Sequence, residues 1–256
     1  MPAHTFVSPY DKGMPGPWDA TLIVIPAWNE EQSIAAVLTR VFHSLPGVSC
    51  LVVDDGSTDG TAAVARAGGA RVAQLPFNLG VGGAMRLGFK YALQHDYRAV
   101  VQVDADGQHN PEDVPLLVQH LKSADIVIGA RFAGVGNYEA AGPRRWAMKL
   151  LSVVLSYVAR TKLTDTTSGF RASGPKAIAV FAVDYPAEYL GDTVEALVIA
   201  ARRGCVITQV PVEMSERLAG TPSHNPFKAG IYLGRAGLAL ALALLRPARS
   251  GRRVQL

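Results

Sequence analysis

The sequence predicts an α/β protein: a mostly parallel, Rossmann-like sheet flanked by helices, followed by a C-terminal apolar helix. Three observations point there. Short β-branched runs alternate with helical patterns through the first half of the chain. No internal repeat or low-complexity linker interrupts that alternation. At 256 residues, 49% apolar and 18% charged, the chain is large enough to bury roughly three quarters of its unfolded surface without disulfides or structural metals.

The elements follow in order. Candidate strands are Thr21–Ile25, Cys50–Asp54, Arg71–Leu75, Ala99–Asp104 and Asp125–Gly129. Between them Glu31–Ser44, Thr61–Ala67, Gly82–Gln94 and Pro111–Ser123 carry apolar residues at helical spacing. The last has a clear start: Asn110 as N-cap, Pro111 at the first helical position, and Glu112 and Asp113 in the positive first turn. The second half predicts an amphipathic stretch near Arg144–Arg160 and a polar loop with a strand in Leu163–Ala172. A helix at Asp192–Arg203 and a strand at Val206–Pro211 follow. Trp146, Met148, Leu150 and Leu151 read as core or as a membrane-facing stripe.

The ends differ from the middle. Residues 1–20 are rich in Pro and Gly without an apolar run, so they read as a flexible arm and not as a signal peptide. Residues 21–227 read as one domain, closing with a Gly-, Pro- and His-rich loop at 217–227. Residues 228–256 read as an apolar helix and basic tail. Ala236 to Leu245 is continuously apolar between Arg235 and Arg246, Arg249, Arg252 and Arg253. Ten helical residues reach about 15 Å, half a bilayer core, so this run is too short to span. It suits the interface beside anionic lipid, the alternative being a buried core helix or dimer contact.

Composition excludes several classes. A chain this apolar is not disordered. Lys and Arg number 25 against 21 Asp and Glu, and a formal charge of +4 is too small to argue a nucleic-acid partner. Cys50 and Cys205 each stand before an apolar run and read as small core residues. Oligomeric state leaves no mark in the sequence.

In open α/β sheets ligands bind outside the carboxyl ends of the strands. The first strand runs into Pro26-Ala-Trp-Asn-Glu30, the second into Asp54-Asp-Gly-Ser-Thr-Asp-Gly-Thr61, and the fourth into Asp104-Ala-Asp-Gly-Gln-His109. Glu30, Asp54, Asp55, Asp104 and Asp106 thus converge on one edge, which is costly unless a cation joins them. A divalent metal holding a diphosphate is the simplest partner, since hard carboxylate oxygens suit Mg²⁺ or Mn²⁺. Singly, each Asp-Gly turn is also ordinary loop chemistry. Asp55-Gly-Ser-Thr-Asp-Gly60 mimics a calcium loop but has Arg66 where the bidentate Glu belongs. The turn after the first strand lacks G-x-G-x-x-G, which excludes a dinucleotide fingerprint. The glycines of Asn78-Leu-Gly-Val-Gly-Gly-Ala84 open a helix, where N–H groups would meet a phosphate or form a packing turn.

Together these segments resemble the family 2 glycosyltransferases of GT-A fold, in the branch of dolichol-phosphate mannosyltransferase and bacterial polyprenyl-phosphate glycosyltransferases. To the segments above the resemblance adds Gly129-Ala-Arg131 and Asp165-Thr-Thr-Ser-Gly-Phe-Arg171, all in family order over residues 21 to about 217. It implies an enzyme that transfers a sugar, with inversion, from a UDP- or GDP-sugar donor to a polyprenyl phosphate acceptor. In that reading Pro26, Ala27, Asn29, Glu30, Asp54, Asp55, Asn78 and Gly80 hold the nucleotide. Asp104, Asp106 and Gln108 hold Mg²⁺ or Mn²⁺. Arg131, Ser168, Arg171 and Arg217 hold the acceptor phosphate, and Asp165 shapes the pocket joining donor and acceptor. The enzyme would be cytoplasmic, in peripheral contact with the inner face of the cell membrane.

The chain departs from the family pattern twice. Trp28 replaces the usual Tyr of the first motif, and Thr-Pro-Ser-His-Asn-Pro-Phe-Lys228 follows Gly220 where a small-residue run is common. A phosphate acceptor is already anionic, its second pKa being about 6, so it needs no general base. A soluble family member acting on a sugar hydroxyl or small metabolite would need one. Asp192 or Glu195 stands about where such a base lies, although acidic residues at a helix start also serve the helix itself. His109 reads as a helix-entry residue and His224 as solvated or acceptor-facing.

Overall fold

A computed structural model describes residues 18–130, 152, 153, 155–157, 159, 161–186 and 192–215 of the chain. The strands are β1 (Thr21–Ala27), β2 (Ser49–Asp54), β3 (Arg71–Gln74), β4 (Ala99–Gln102), β5 (Ile126–Ala130), β6 (Arg171–Ser173) and β7 (Ile207–Pro211). The helices are α1 (Ile34–Ser44), α2 (Thr61–Ala67), α3 (Gly80–Gln94), α4 (Val114–His120), α5 (Pro175–Asp184) and α6 (Asp192–Arg202), with a 3-10 turn at Pro111–Asp113. The strands form one seven-stranded sheet in the order β3-β2-β1-β4-β6-β5-β7. Every pairing is parallel except those of β6, which runs antiparallel between β4 and β5.

This order positions the site. The chain winds from β1 outward through β2 to β3, then returns to lay β4 on the other side of β1. The reversal opens a crevice beyond the carboxyl ends of β1 and β4, where ligands of open α/β sheets bind. Alternate residues of β1 fill the two faces. Leu22 and Val24 pack in the cluster containing Phe89, Phe181 and Leu197, and Ile23 and Ile25 in the one containing Leu38, Ala65 and Leu117. The rings of Phe89, Phe181 and Tyr185 lie 5.0–5.3 Å apart and join α3 to α5. Cys50 and Cys205 are free and buried, and burial pushes their thiols up to about 12 and about 11.

The predicted elements that fall on described residues are present, with instructive shifts at their ends; the C-terminal apolar helix and most of the stretch near Arg144–Arg160 lie outside them. β1 extends through Pro26, which pairs with Val53 on the β2 side. Its ladder to β4 has ended at Val24 and Gln102, so the missing N–H leaves no bond unmade. β4 stops at Gln102, not Asp104, because the Asp104 N–H turns away to a side chain. The strand in Leu163–Ala172 is only its last portion, Arg171–Ser173. Asn110 caps the 3-10 turn through Glu112 N–H at 3.3 Å, as the sequence predicts. Helix α5 is a correction: no element is predicted there, yet Gly174-Pro175 gives a proline start and Ala177, Ile178, Phe181 and Ala182 are buried.

Candidate active site

Three turns meet at the carboxyl edge of the sheet, and the first two are laced together. Asn29, at φ 55°, accepts the Thr58 N–H at its Oδ1 (2.9 Å), while its own N–H donates to Ser57 Oγ (2.9 Å). The Glu30 N–H donates to Thr61 Oγ1 (2.8 Å), and Glu31 Oε2 accepts the Gly60 N–H (2.8 Å). Ser33 Oγ donates to the Glu30 carboxylate at 2.6 Å, which holds residues 31–33 in a turn and delays α1 to Ile34. Burial opposes the charge on Asp59. Hydrogen bonds from the Thr61 side chain and backbone and from the Glu31 N–H outweigh it and hold the carboxyl below its ordinary value.

Asp54 and Asp55 end β2 and are almost wholly buried, at 2% and 3% exposure. Asp54 accepts the Ser57 N–H at one oxygen and Gln74 Nε2 at the other, both at 3.1 Å. Asp55 accepts the Leu79 and Gly80 N–H groups, one on each oxygen, at 2.7 Å. It thereby caps α3 from a neighbouring turn. Burial pushes its carboxyl up, those two N–H groups pull it down, and the Asp54 charge pushes it up again; the net direction is upward. Gly56 follows at φ 70°, and a Cβ there would lie 2.7 Å from the Phe77 carbonyl carbon. Only glycine lets these turns approach so closely.

The third turn, residues 103–110, is built differently. The Asp104 N–H donates to His109 Nδ1 at 3.0 Å, and Asp104 Oδ1 accepts Gln102 Nε2 at 3.0 Å. Asp106 accepts the Gln108 N–H at Oδ1 (3.0 Å). Arg40, reaching from α1, donates to the Gly107 carbonyl at 3.0 Å, and the Gln108 carbonyl accepts the Ser215 N–H at 2.9 Å. The side chain of Asp104 is 36% exposed, so this carboxylate stays open to the crevice. Among the described residues no group of three or more His, Cys, Asp and Glu gathers as a metal site.

Residues 22–184 match the family described as Glycosyl transferase family 2, which is well over half of the chain. The chain belongs to that family. It is a glycosyltransferase. An undecaprenyl-phosphate mannosyltransferase of Micrococcus luteus is 34% identical over 78% of this chain and 85% of its own length. A polyprenol monophosphomannose synthase of Mycolicibacterium smegmatis is 32% identical over 80% of each chain. A crystal structure of glucosyl-3-phosphoglycerate synthase from Mycobacterium tuberculosis, in complex with Mn²⁺, UDP and phosphoglyceric acid, shares the fold. Its TM-score is 0.67, at 22% identity over 93% of this chain and 86% of that one.

With the family established, the residue set divides. Pro26, Ala27, Asn29, Glu30, Asp54 and Asp55 line the first two turns, and Asp104, Asp106 and Gln108 the third. The glycine-rich turn is a packing turn here: the Leu79 and Gly80 N–H groups that would meet a phosphate are taken by Asp55, and Gly80 also meets Asn78 Oδ1 at 3.0 Å. The Arg171 guanidinium is buried and donates to the carbonyls of Ser168 (2.8 Å), Thr193 (2.9 Å) and Thr166 (2.9 Å), tying residues 166–168 to α6. Ser168 and Asp165 are each 1% exposed. Ser168 Oγ accepts the Phe170 N–H, and Asp165 Oδ1 accepts from the Thr167 N–H and hydroxyl.

Arg131, Trp146, Met148, Leu150, Leu151, Arg217, His224 and residues 228–256 lie outside the described residues, as does the side chain of Asp192. No helix among the described residues is long and apolar enough to cross a membrane. His109 stands at the helix entry beside the Asn110 cap, as the sequence predicts, and is also 4% exposed and bonded to Asp104. Gln102, Gly169 and Arg40, which the sequence does not single out, also reach the third turn. A His directly after the Asp-x-Asp-x-Gln segment is a signal for its contact with Asp104, and Gln102 stands only two residues before that Asp; Arg40 has no such signal, because only folding brings it to a turn 67 residues away.

Proposed function

We propose that this glycosyltransferase moves a sugar, with inversion, from a UDP- or GDP-sugar to a polyprenyl phosphate, with Mg²⁺ or Mn²⁺ as cofactor, at the membrane surface. The observation that carries this reading is the turn after β4, which presents the Asp104 carboxylate, partly exposed, at the crevice beside the nucleotide-facing turns of β1 and β2. The acceptor class is supported by the relatives 34% and 32% identical described above, both named for products or acceptors of the polyprenyl-phosphate kind.

The donor set fits a divalent ion of this type. Asp104, Asp106 and Gln108 offer two carboxylates and an amide oxygen, hard ligands that leave coordination positions for a diphosphate, as Mg²⁺ and Mn²⁺ sites do. Such a set contains only two acidic residues, consistent with the absence of a three-residue acidic or His/Cys cluster among the described residues. Bound there, the ion would act as a Lewis acid on the leaving diphosphate.

The chain's own residues supply orientation. The laced turns at Asn29–Thr58 and Glu30–Thr61 form a stiff wall for the nucleoside. Asn78 Nδ2 is buried with no hydrogen-bond partner in the described structure, a donor that a nucleotide oxygen would satisfy. Arg131 and Arg217 would hold the acceptor phosphate by charge-assisted hydrogen bonds. A phosphate nucleophile already carries its charge at neutral pH, so no proton need be removed.

The test is a transfer assay on the full chain with undecaprenyl and decaprenyl phosphate and labelled UDP- and GDP-sugars. One donor should give an organic-extractable product of inverted anomeric configuration, lost with EDTA and restored by Mg²⁺ or Mn²⁺. Absence of a lipid-linked product with every donor, with transfer to a water-soluble hydroxyl instead, would overturn the acceptor assignment.

A further inference from the structure

We infer that His109 is a positioning residue for Asp104, holding its backbone N–H by a hydrogen bond at Nδ1 and setting Nε2 3.5 Å from its carboxylate, which fixes that carboxylate in a metal-ready orientation. The inference rests on Asp104 as a metal ligand. His109 is 4% exposed, and its ring stacks on Phe170 at 4.9 Å and 19°. A buried polar ring needs partners, and here both ring nitrogens face Asp104. Nδ1 accepts the Asp104 N–H at 3.0 Å. A nitrogen that accepts from a backbone N–H bears no proton, so the neutral ring carries its hydrogen on Nε2. That Nε2 lies 3.5 Å from Asp104 Oδ2.

The opposite oxygen is held as well. Gln102 Nε2 donates to Asp104 Oδ1 at 3.0 Å, and Gly169 backs the carboxylate. A Cβ on Gly169 would stand 3.1 and 3.3 Å from the two oxygens and 2.9 Å from Gln102 Nε2. Gln102, His109 and the Gly169 backbone therefore bracket the carboxylate, while its exposed side faces the crevice. The bracket is itself anchored: His109 pairs through its backbone with Met214, and Phe170, which stacks on the ring, is wholly buried. This explains the neighbouring Gly-Phe pair in physical terms, the glycine as clearance for Asp104 and the phenylalanine as the floor under His109. Donors that orient a ligating carboxylate typically change metal affinity by about 10- to 100-fold when lost.

The experiment is Mn²⁺ binding to the full chain with UDP present, read by electron paramagnetic resonance of free Mn²⁺, without turnover. The proteins are wild type, Asp104→Asn, His109→Asn and His109→Gln. Asn keeps an acceptor near the Nδ1 position and loses the distal donor, whereas Gln reaches the Nε2 position with an amide donor. His109→Asn should bind Mn²⁺ at least about tenfold more weakly, and His109→Gln within about threefold of wild type. Equal, wild-type affinities in both would reduce His109 to core packing and overturn the inference. No Mn²⁺ binding by wild type would instead overturn the metal reading of Asp104. Melting with and without Mn²⁺ covers a destabilised variant: positioning predicts a smaller Mn²⁺-induced rise in Tm for His109→Asn. A lower metal-free Tm with the full rise retained would overturn the inference.

Discussion

The turn after β2 and the turn after β4 lie on either side of β1, and each follows its strand with two closely spaced aspartates. Their carboxylates have opposite fates. In Asp54 and Asp55 all four oxygens accept hydrogen bonds from the protein, three from backbone N–H groups and one from Gln74, and both residues are buried. Asp104 is flanked by Gln102 and His109, with its side chain 36% exposed. The first pair organises backbone, joining three turns and capping α3. In the second pair Asp106 is buried as well, and it is Asp104 that leaves carboxylate surface exposed. Paired aspartates at strand ends are thus two devices written in one alphabet, and the neighbours that reach each oxygen separate them.

Substitution should separate them in the same way. The largest effect is expected for Asp106→Asn, whose amide oxygen can still accept the Gln108 N–H. Transfer should fall by about a thousandfold, several kcal/mol of transition-state stabilisation, with Tm shifted by no more than a few degrees. Unchanged turnover in a folded variant would erase the distinction between the two turns. Next comes Arg171→Met, which leaves three carbonyls without their donor in a buried setting. Urea unfolding should show a loss of about 3 kcal/mol. Unaltered stability with a raised KM for the acceptor would restore Arg171 to the phosphate.

Asp55→Ala removes the cap of α3 and should cost about 2 kcal/mol of stability by the same measurement. A change confined to donor KM would instead make Asp55 a nucleotide contact. The smallest effect concerns pH. The Asp59 carboxyl is held below its ordinary 3.8, so the stability it contributes is present above that value and is lost as pH falls through the folded-state pKa. Asp59→Asn should flatten the acid limb of a stability profile below about pH 4, and an unchanged limb would show that the Thr61 bonds do not discriminate the charged form.

Much of this architecture is legible from one dimension. The β-branched runs, helical spacing and proline and asparagine caps specify β1 to β5 and their helices, because burial on a sheet and capping of orphan N–H groups are local demands. The three polar turns are likewise readable, since parallel strands must end their carboxyl edges together. Helix α5 escaped despite its proline start because its short apolar pattern lies among loop-like residues. Arg40 escaped for a different reason, its partners lying 67 or more residues along the chain.

By itself, then, the sequence determined the α/β class, the strand ends that carry acidic residues, and membership of a family whose segments recur in order. The tertiary structure alone decided which of those residues keep free valence. Asp55, Gly80 and Arg171 have side chains or N–H groups suited to phosphates and nucleotides, yet they hold hydrogen bonds to partners 2 to 25 residues away. A side chain's chemistry is fixed by its type, but its availability depends on which donors and acceptors the fold brings within about 3 Å, and buried polar groups take the nearest partner because leaving one unmade costs more than any single bond contributes.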